Sequence, residues 1–223
     1  KPMMKRNLIL CAALLVCAAV CGQQRPKASA YHYQKASLFE ILPVTSKDIV
    51  FLGNSITDGC EWAELFGNPR IKNRGISADK TWNVLERLDP IVKGHPRKVF
   101  LMIGINDLPT GETPEAVVLR IRQIADRFLR ESPGTELYIQ SVLPVNDNFP
   151  NYAKRHASKG AEILKINEGL RLLCGELGLT YVDLHSALKD SEGKLDERYT
   201  NDGLHLLGEG YLVWKAQIEP YVK

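Results

Sequence analysis

Five short apolar runs separated by amphipathic helical patterns predict an α/β fold, a three-layer α/β/α sandwich around a buried parallel sheet. The first observation is a pair of near-identical runs, Ile49 to Gly53 and Val99 to Gly104, each apolar on both faces and each ending in glycine. Strands that read as continuous hydrophobic runs are buried on both sides, as in parallel sheets. The second is the alternation itself, strand then helix, over most of the chain.

In chain order, Asp48 to Gly53 predicts the first strand, and Arg70 to Asn73 is a weaker candidate for the second. Val99 to Gly104 predicts the third, Glu136 to Val142 the fourth and Thr180 to Asp183 the fifth. Between the third and fourth, Val117, Ile121, Ile124, Ala125 and Phe128 share one helical face, with Thr113 placed to cap and Pro114 in the first turn. That helix should stop near Glu131, before Pro133-Gly134. Ile163, Ile166, Leu170, Leu173 and Leu177 form a second face closed by Gly178, and Tyr211, Trp214, Ile218 and Val222 a terminal one. No repeat or low-complexity tract interrupts the pattern.

The 223 residues, 44% hydrophobic and 25% charged, suit one globular domain, read as 48–223. Residues 1–22 read as a signal peptide: Lys1, Lys5 and Arg6 precede an apolar stretch from Leu8 to Val20 that is short for a membrane span. The expectation is an exported, periplasmic or secreted protein with no stable membrane insertion after processing. Cleavage after Gly22 leaves small residues before the cut, whereas Ala19-Val20-Cys21 is a poor lipoprotein box. Residues 23–47 read as an irregular N-terminal arm. The formal charge of +3 comes from Lys1, Lys5 and Arg6, and the remainder is neutral, which gives no reason to expect nucleic acid as a partner. Beyond the leader only Cys60 and Cys174 remain, a disulfide only if the fold brings them together.

In a parallel α/β sheet, chemistry gathers beyond the carboxyl ends of the strands. After the first strand comes Gly53-Asn54-Ser55-Ile56-Thr57-Asp58, where Ser55 is either a helix cap or a nucleophile beside backbone amides. Near the other end, Asp202 lies three residues before His205, close enough for the carboxylate to hold one ring nitrogen while the other acts as a base. His185, two residues after Asp183, is the rival base. Two further turns, Asn73 to Ser77 and Gly104 to Asp107, offer oxyanion donors: the backbone N–H of Gly75, with no Cβ to keep a substrate away, and the carboxamide of Asn106. With the Ser55 amide that makes three. His32, His95 and His156 belong to no such constellation and read as surface residues, Trp82 reads as core, and Trp62 as core or pocket wall.

Together the four blocks resemble the SGNH (GDSL-like) hydrolase family, whose Ser, Gly, Asn and His are matched by Ser55, Gly75, Asn106 and His205 over about Ile49 to Tyr211. The runs Asp48 to Asp58, Gly75 to Thr81 and Leu204-His205-Leu206 look most like the branch containing platelet-activating-factor acetylhydrolase catalytic subunits and bacterial acetylesterases. Asn54 departs from the usual Asp of the GDSL motif, as do Ile56-Thr57, without removing the nucleophile. The resemblance implies a flavodoxin-like sheet in the order 2-1-3-4-5, no cofactor and no metal, and a Ser55–His205–Asp202 esterase for small acyl groups. A small-molecule or glycan ester is the implied substrate, such as acetylated sialic acid or plant polysaccharide. Val145 to Lys159, after the fourth strand, should shape the pocket mouth. A lysophospholipase or thioesterase of the same fold, a non-catalytic carbohydrate binder and a flavin or nucleotide binder are the alternatives. The first loop lacks the glycine density that the last would need.

Overall fold

The computed structural model describes residues 27–149 and 155–223. The leader-like segment 1–22 therefore lies outside the described residues.

Five strands, β1 (Ile49–Gly53), β2 (Ile71–Gly75), β3 (Lys98–Met102), β4 (Glu136–Gln140) and β5 (Thr180–Val182), form one sheet in the order β2-β1-β3-β4-β5. Every pairing is parallel. This is the order expected, and the weak second candidate is a strand displaced by one residue at its start and two at its end. In register, Gly53 pairs with both Gly75 and Met102, so the carboxyl ends of the three strands lie level and their following loops meet at one edge.

The core explains the apolar runs. All of β1 and β3 is buried. Phe51, Phe100 and Tyr138 are register neighbours whose rings lie 5.1 and 4.6 Å apart, forming an aromatic row across the sheet. Trp62, on the short helix α3 (Trp62–Leu65), stacks on Phe51 at 4.3 Å and meets Trp214 edge-on at 4.9 Å. It is core, not pocket wall, and so is Trp82. Helix α6 (Pro114–Glu131) starts where Thr113 accepts from the Ala116 N–H, and α7 (Gly160–Leu177) ends at Gly178 in the left-handed region, φ 66°. The final helix is α9 (Gly208–Val222). Short helices α2 (Ser55–Asp58), α4 (Thr81–Glu86), α5 (Asp89–Lys93) and α8 (His185–Leu188) complete the layers.

The N-terminal arm, described from Lys27 onward, is not irregular throughout. Ala30–Ile41 is a helix, α1, with Ser29 accepting from the His32 N–H at its start. Its buried side chains are only His32 and Phe39, while Tyr33 and Ile41 face outward, so it carries little of the apolar periodicity that marks a helix. Polar contacts hold it instead: Tyr31 Oη donates to Asp58 at 3.0 Å, Lys35 Nζ lies 3.3 Å from Asp58, and His32 Nδ1 lies 2.7 Å from Asp79. Cys60 and Cys174 are both buried and free. Among the described residues no helix is long and apolar enough to cross a membrane.

Candidate active site

The turn after β1 is built for close approach. A Cβ on Gly53 would sit 2.2 Å from Thr57 Oγ1 and 2.4 Å from the Met102 carbonyl oxygen, which only glycine avoids. Asn54 then caps α2, its side chain accepting from the Ile56 N–H at 3.1 Å. Because Asn54 caps, Ser55 does not. As first residue of α2 its N–H has no partner within the helix. Its hydroxyl lies 2.9 Å from His205 Nε2.

His205 is fixed by the turn that precedes α9. Asp202 Oδ1 accepts the backbone N–H groups of Leu204 and His205, each at 2.8 Å, and its Oδ2 is 2.6 Å from His205 Nδ1. Burial pushes the Asp202 carboxyl up, but these donors outweigh it and hold the group below the ordinary carboxylate value. An ionised Asp202 only accepts, so Nδ1 carries the proton and Nε2 presents its lone pair to Ser55. Gly203, at φ 82°, lets the turn pass the Asn146 carbonyl oxygen, which a Cβ would approach to 2.2 Å.

Asn106 is oriented from two sides. Its Nδ2 donates to the Asp79 carbonyl oxygen at 3.0 Å, and its Oδ1 lies 3.2 Å from His156 Nε2. A backbone carbonyl can only accept, so it fixes which end of the carboxamide is nitrogen. His156 Nε2 must then be the protonated nitrogen. Burial, with the charge of Arg155 nearby, lowers the His156 pKa and favours the neutral ring. Asp79 is itself clamped, with His32 on one oxygen and Arg87 Nε on the other at 2.7 Å each, and the preceding Ala78 takes a left-handed φ of 68°.

Gly75 is placed differently from the oxyanion role read for it. Its N–H donates to Asn73 Oδ1 at 2.8 Å, and it is not among the residues lining the cleft around Ser55. The steric need for glycine is nevertheless strict, since a Cβ would lie 2.2 Å from the Asp58 nitrogen and push α2 off β2. Asn73 Nδ2 in turn donates to the carbonyls of Thr57, Asp58 and Cys60, tying β2 to the far end of the helix that carries Ser55.

Two histidines expected at the surface are not there. His32 is 5% exposed against Asp79, and His156 is 8% exposed beside Asn106. Their partners lie 47 and 50 residues away, so no local signal marks them. His95 is exposed as expected. The rival base, His185, is buried at the start of α8, where its N–H donates to Ser141 Oγ, and it does not line the cleft. Of the mouth segment, Val145 to Phe149 and Arg155 to Lys159 are described, and Arg155, His156 and Lys159 line the cleft. Among the described residues no group of three His, Cys, Asp or Glu side chains could hold a metal.

A family model described as GDSL-like Lipase/Acylhydrolase matches residues 51–213. The chain belongs to this family. As a GDSL-like protein of the SGNH kind it is a serine hydrolase, an esterase or acylhydrolase. Platelet-activating factor acetylhydrolase IB subunit alpha1 of Bos taurus is 26% identical over 168 residues, 74% of this chain and 70% of that protein. A solved Streptococcus pneumonia chain, provisionally named a platelet activating factor, is 28% identical with a TM-score of 0.79, covering 86% of this chain and 93% of its own. An acetylxylan esterase of Geobacillus stearothermophilus shares the fold at 16% identity, TM-score 0.63, over 80% of this chain and 95% of its own.

Proposed function

We propose that this GDSL-like hydrolase is an acetylesterase in which Ser55 is the nucleophile, His205 the base and Asp202 its orienting acid. The observation that carries the reading is the continuous line of contacts Asp202 Oδ2 to His205 Nδ1 at 2.6 Å and His205 Nε2 to Ser55 Oγ at 2.9 Å. Ser55 Oγ attacks the ester carbonyl as its proton passes to His205 Nε2, and Asp202 balances the imidazolium. The Ser55 N–H and Asn106 Nδ2 bind the oxyanion, and a third bond from Gly75 would be shared with Asn73 Oδ1. His205 then protonates the leaving alcohol, and water, activated by the same ring, releases the acid from Ser55.

The preference for a small acyl group is supported by a small void, about 10 Å³, lined by Asn54 and Ile56, which flank Ser55 in the chain, and by Met102, Ile105, Val142 and Leu204 among others. That is roughly the space that one water molecule needs, enough for a methyl and not for a chain. The open cleft that Ser55 and His205 line, about 1180 Å³, has room for a sugar-sized alcohol. Acetyl groups on carbohydrates are therefore the substrates we favour. Hydrolysis of p-nitrophenyl acetate, butyrate and octanoate by the protein and by Ser55→Ala tests this. Rates that fall with chain length and vanish in the variant are expected. Undiminished turnover by Ser55→Ala, or no turnover by either protein, would overturn it.

A further inference from the structure

We propose that the alcohol half of the ester carries a negative charge, a carboxylate or a phosphate, which this cleft recognises through Lys80, Arg155 and Lys159. The inference rests on the esterase reading of Ser55 and adds to it the charge class of the substrate. Among the described residues, the cleft that contains Ser55 and His205 is lined by these three cations and by no Asp or Glu side chain. A general excess of positive charge does not account for this, since the whole chain is formally only +3.

The carboxylates that could neutralise the rim are engaged elsewhere. Asp58, behind Ser77, takes Tyr31 and Lys35. Asp107 is fully buried against Thr81, and Asp202 holds His205. Lys159 shares Glu162 at 3.1 Å, which steadies its ammonium without removing its remaining donors. Lys80 is held with Nζ 5.3 Å from the Trp82 ring, and among the described residues Arg155 forms no salt bridge. A cleft lined by charges of one sign, with apolar walls such as Leu108, Pro109 and Leu206, focuses its field on what enters. With the acyl group directed to the methyl-sized void, as in the esterase reading above, the alcohol is what meets the cations, among them the guanidinium of Arg155, suited to bidentate oxyanion recognition.

The test compares 4-acetoxybenzoate and 4-acetoxyphenyl phosphate with the neutral methyl 4-acetoxybenzoate, each kcat/KM divided by the ester's own hydroxide-catalysed rate. The expected ratio, anionic over neutral, is about tenfold at low salt and shrinks when salt is raised to about 0.5 M. It should fall toward one in the triple variant Lys80→Met, Arg155→Gln, Lys159→Met. Preference for the benzoate alone names a carboxylate as the natural group, and for the phosphate alone a phosphate ester. If the cations served only the oxyanion of the transition state, the variant would slow all three esters alike and leave the ratio unchanged, which would overturn the proposal. So would a wild-type ratio of one or below. A protein inert toward p-nitrophenyl acetate as well would instead defeat the esterase reading beneath it.

Discussion

His156 Nε2 donates to Asn106 Oδ1 across 3.2 Å, from a ring that is almost fully buried and whose Nδ1 has no partner among the described residues. The bond leaves Asn106 Nδ2 with one hydrogen on the Asp79 carbonyl and the other for the cleft. On the proposed mechanism, in which Asn106 binds the oxyanion, His156 is thus a positioning residue. His156→Leu should lower kcat about tenfold with KM little changed, less than the 10²-fold or more expected on deleting an oxyanion donor outright. His156→Gln, whose amide nitrogen can take the place of Nε2, should recover most of it. A rise in KM alone, or failure of glutamine to do better than leucine, would remove the role.

Asp202→Asn separates geometry from proton placement. The asparagine Oδ1 can keep the two backbone N–H bonds at 2.8 Å, so the turn should persist, but its Nδ2 would face His205 Nδ1 as a donor. The ring must then carry its proton on Nε2, where it cannot accept from Ser55. A kcat loss of about 10³-fold or more with unchanged thermal stability is expected. Activity within tenfold of wild type would mean that another group orients His205.

Leu204 lines both the open cleft and the methyl-sized void. Leu204→Ala should join the two and shift the acetate-to-butyrate rate ratio toward the longer chain. The same truncation of a buried leucine costs about 2 to 5 kcal/mol of stability, so the ratio is to be read well below the melting temperature. A ratio that stays where it is would place the acyl group elsewhere.

The strands, the three long helices and the order of the four site blocks were legible because each is a local pattern: an apolar run, a repeat of 3.6 residues, a turn after a strand. Ser55, Asp202 and His205 could be singled out for the same reason. What could not be read is held by contacts between distant residues. α1 buries only His32 and Phe39 and is fixed by Asp58 and Asp79, while His156 gains its meaning from Asn106. Gly75 is a finer instance: glycine is read there for substrate approach, whereas it is needed for packing against Asp58, and the partner of its N–H, Asn73 Oδ1, is a side-chain conformation that no spacing reveals.

Asp107 supplies a pH-dependent test of the scaffold. Burial raises its pKa from 3.8 to about 6, against the bonds from Thr81 and the charge of Arg120. Between those values the folded protein binds the proton that the unfolded chain has released. This group's contribution is therefore complete below about pH 4 and is lost as pH rises through 6, by roughly 3 kcal/mol in all. Asp107→Asn lacks that loss, so melting curves across this range should show the variant gaining on wild type as pH rises. A constant difference would show that the carboxyl is not shifted.

Ser55 and His205, whose side chains meet, are 150 residues apart in the chain, and Tyr31 and His32 of α1 reach Asp58 and Asp79, 27 and 47 residues further on. During synthesis Ser55 therefore leaves the ribosome long before His205 exists, while the first helix waits for the loops on which it will rest. A chain stopped before His205 would hold the Ser55 hydroxyl without the imidazole that faces it here. On the proposed triad, hydrolysis therefore begins only once synthesis has passed His205.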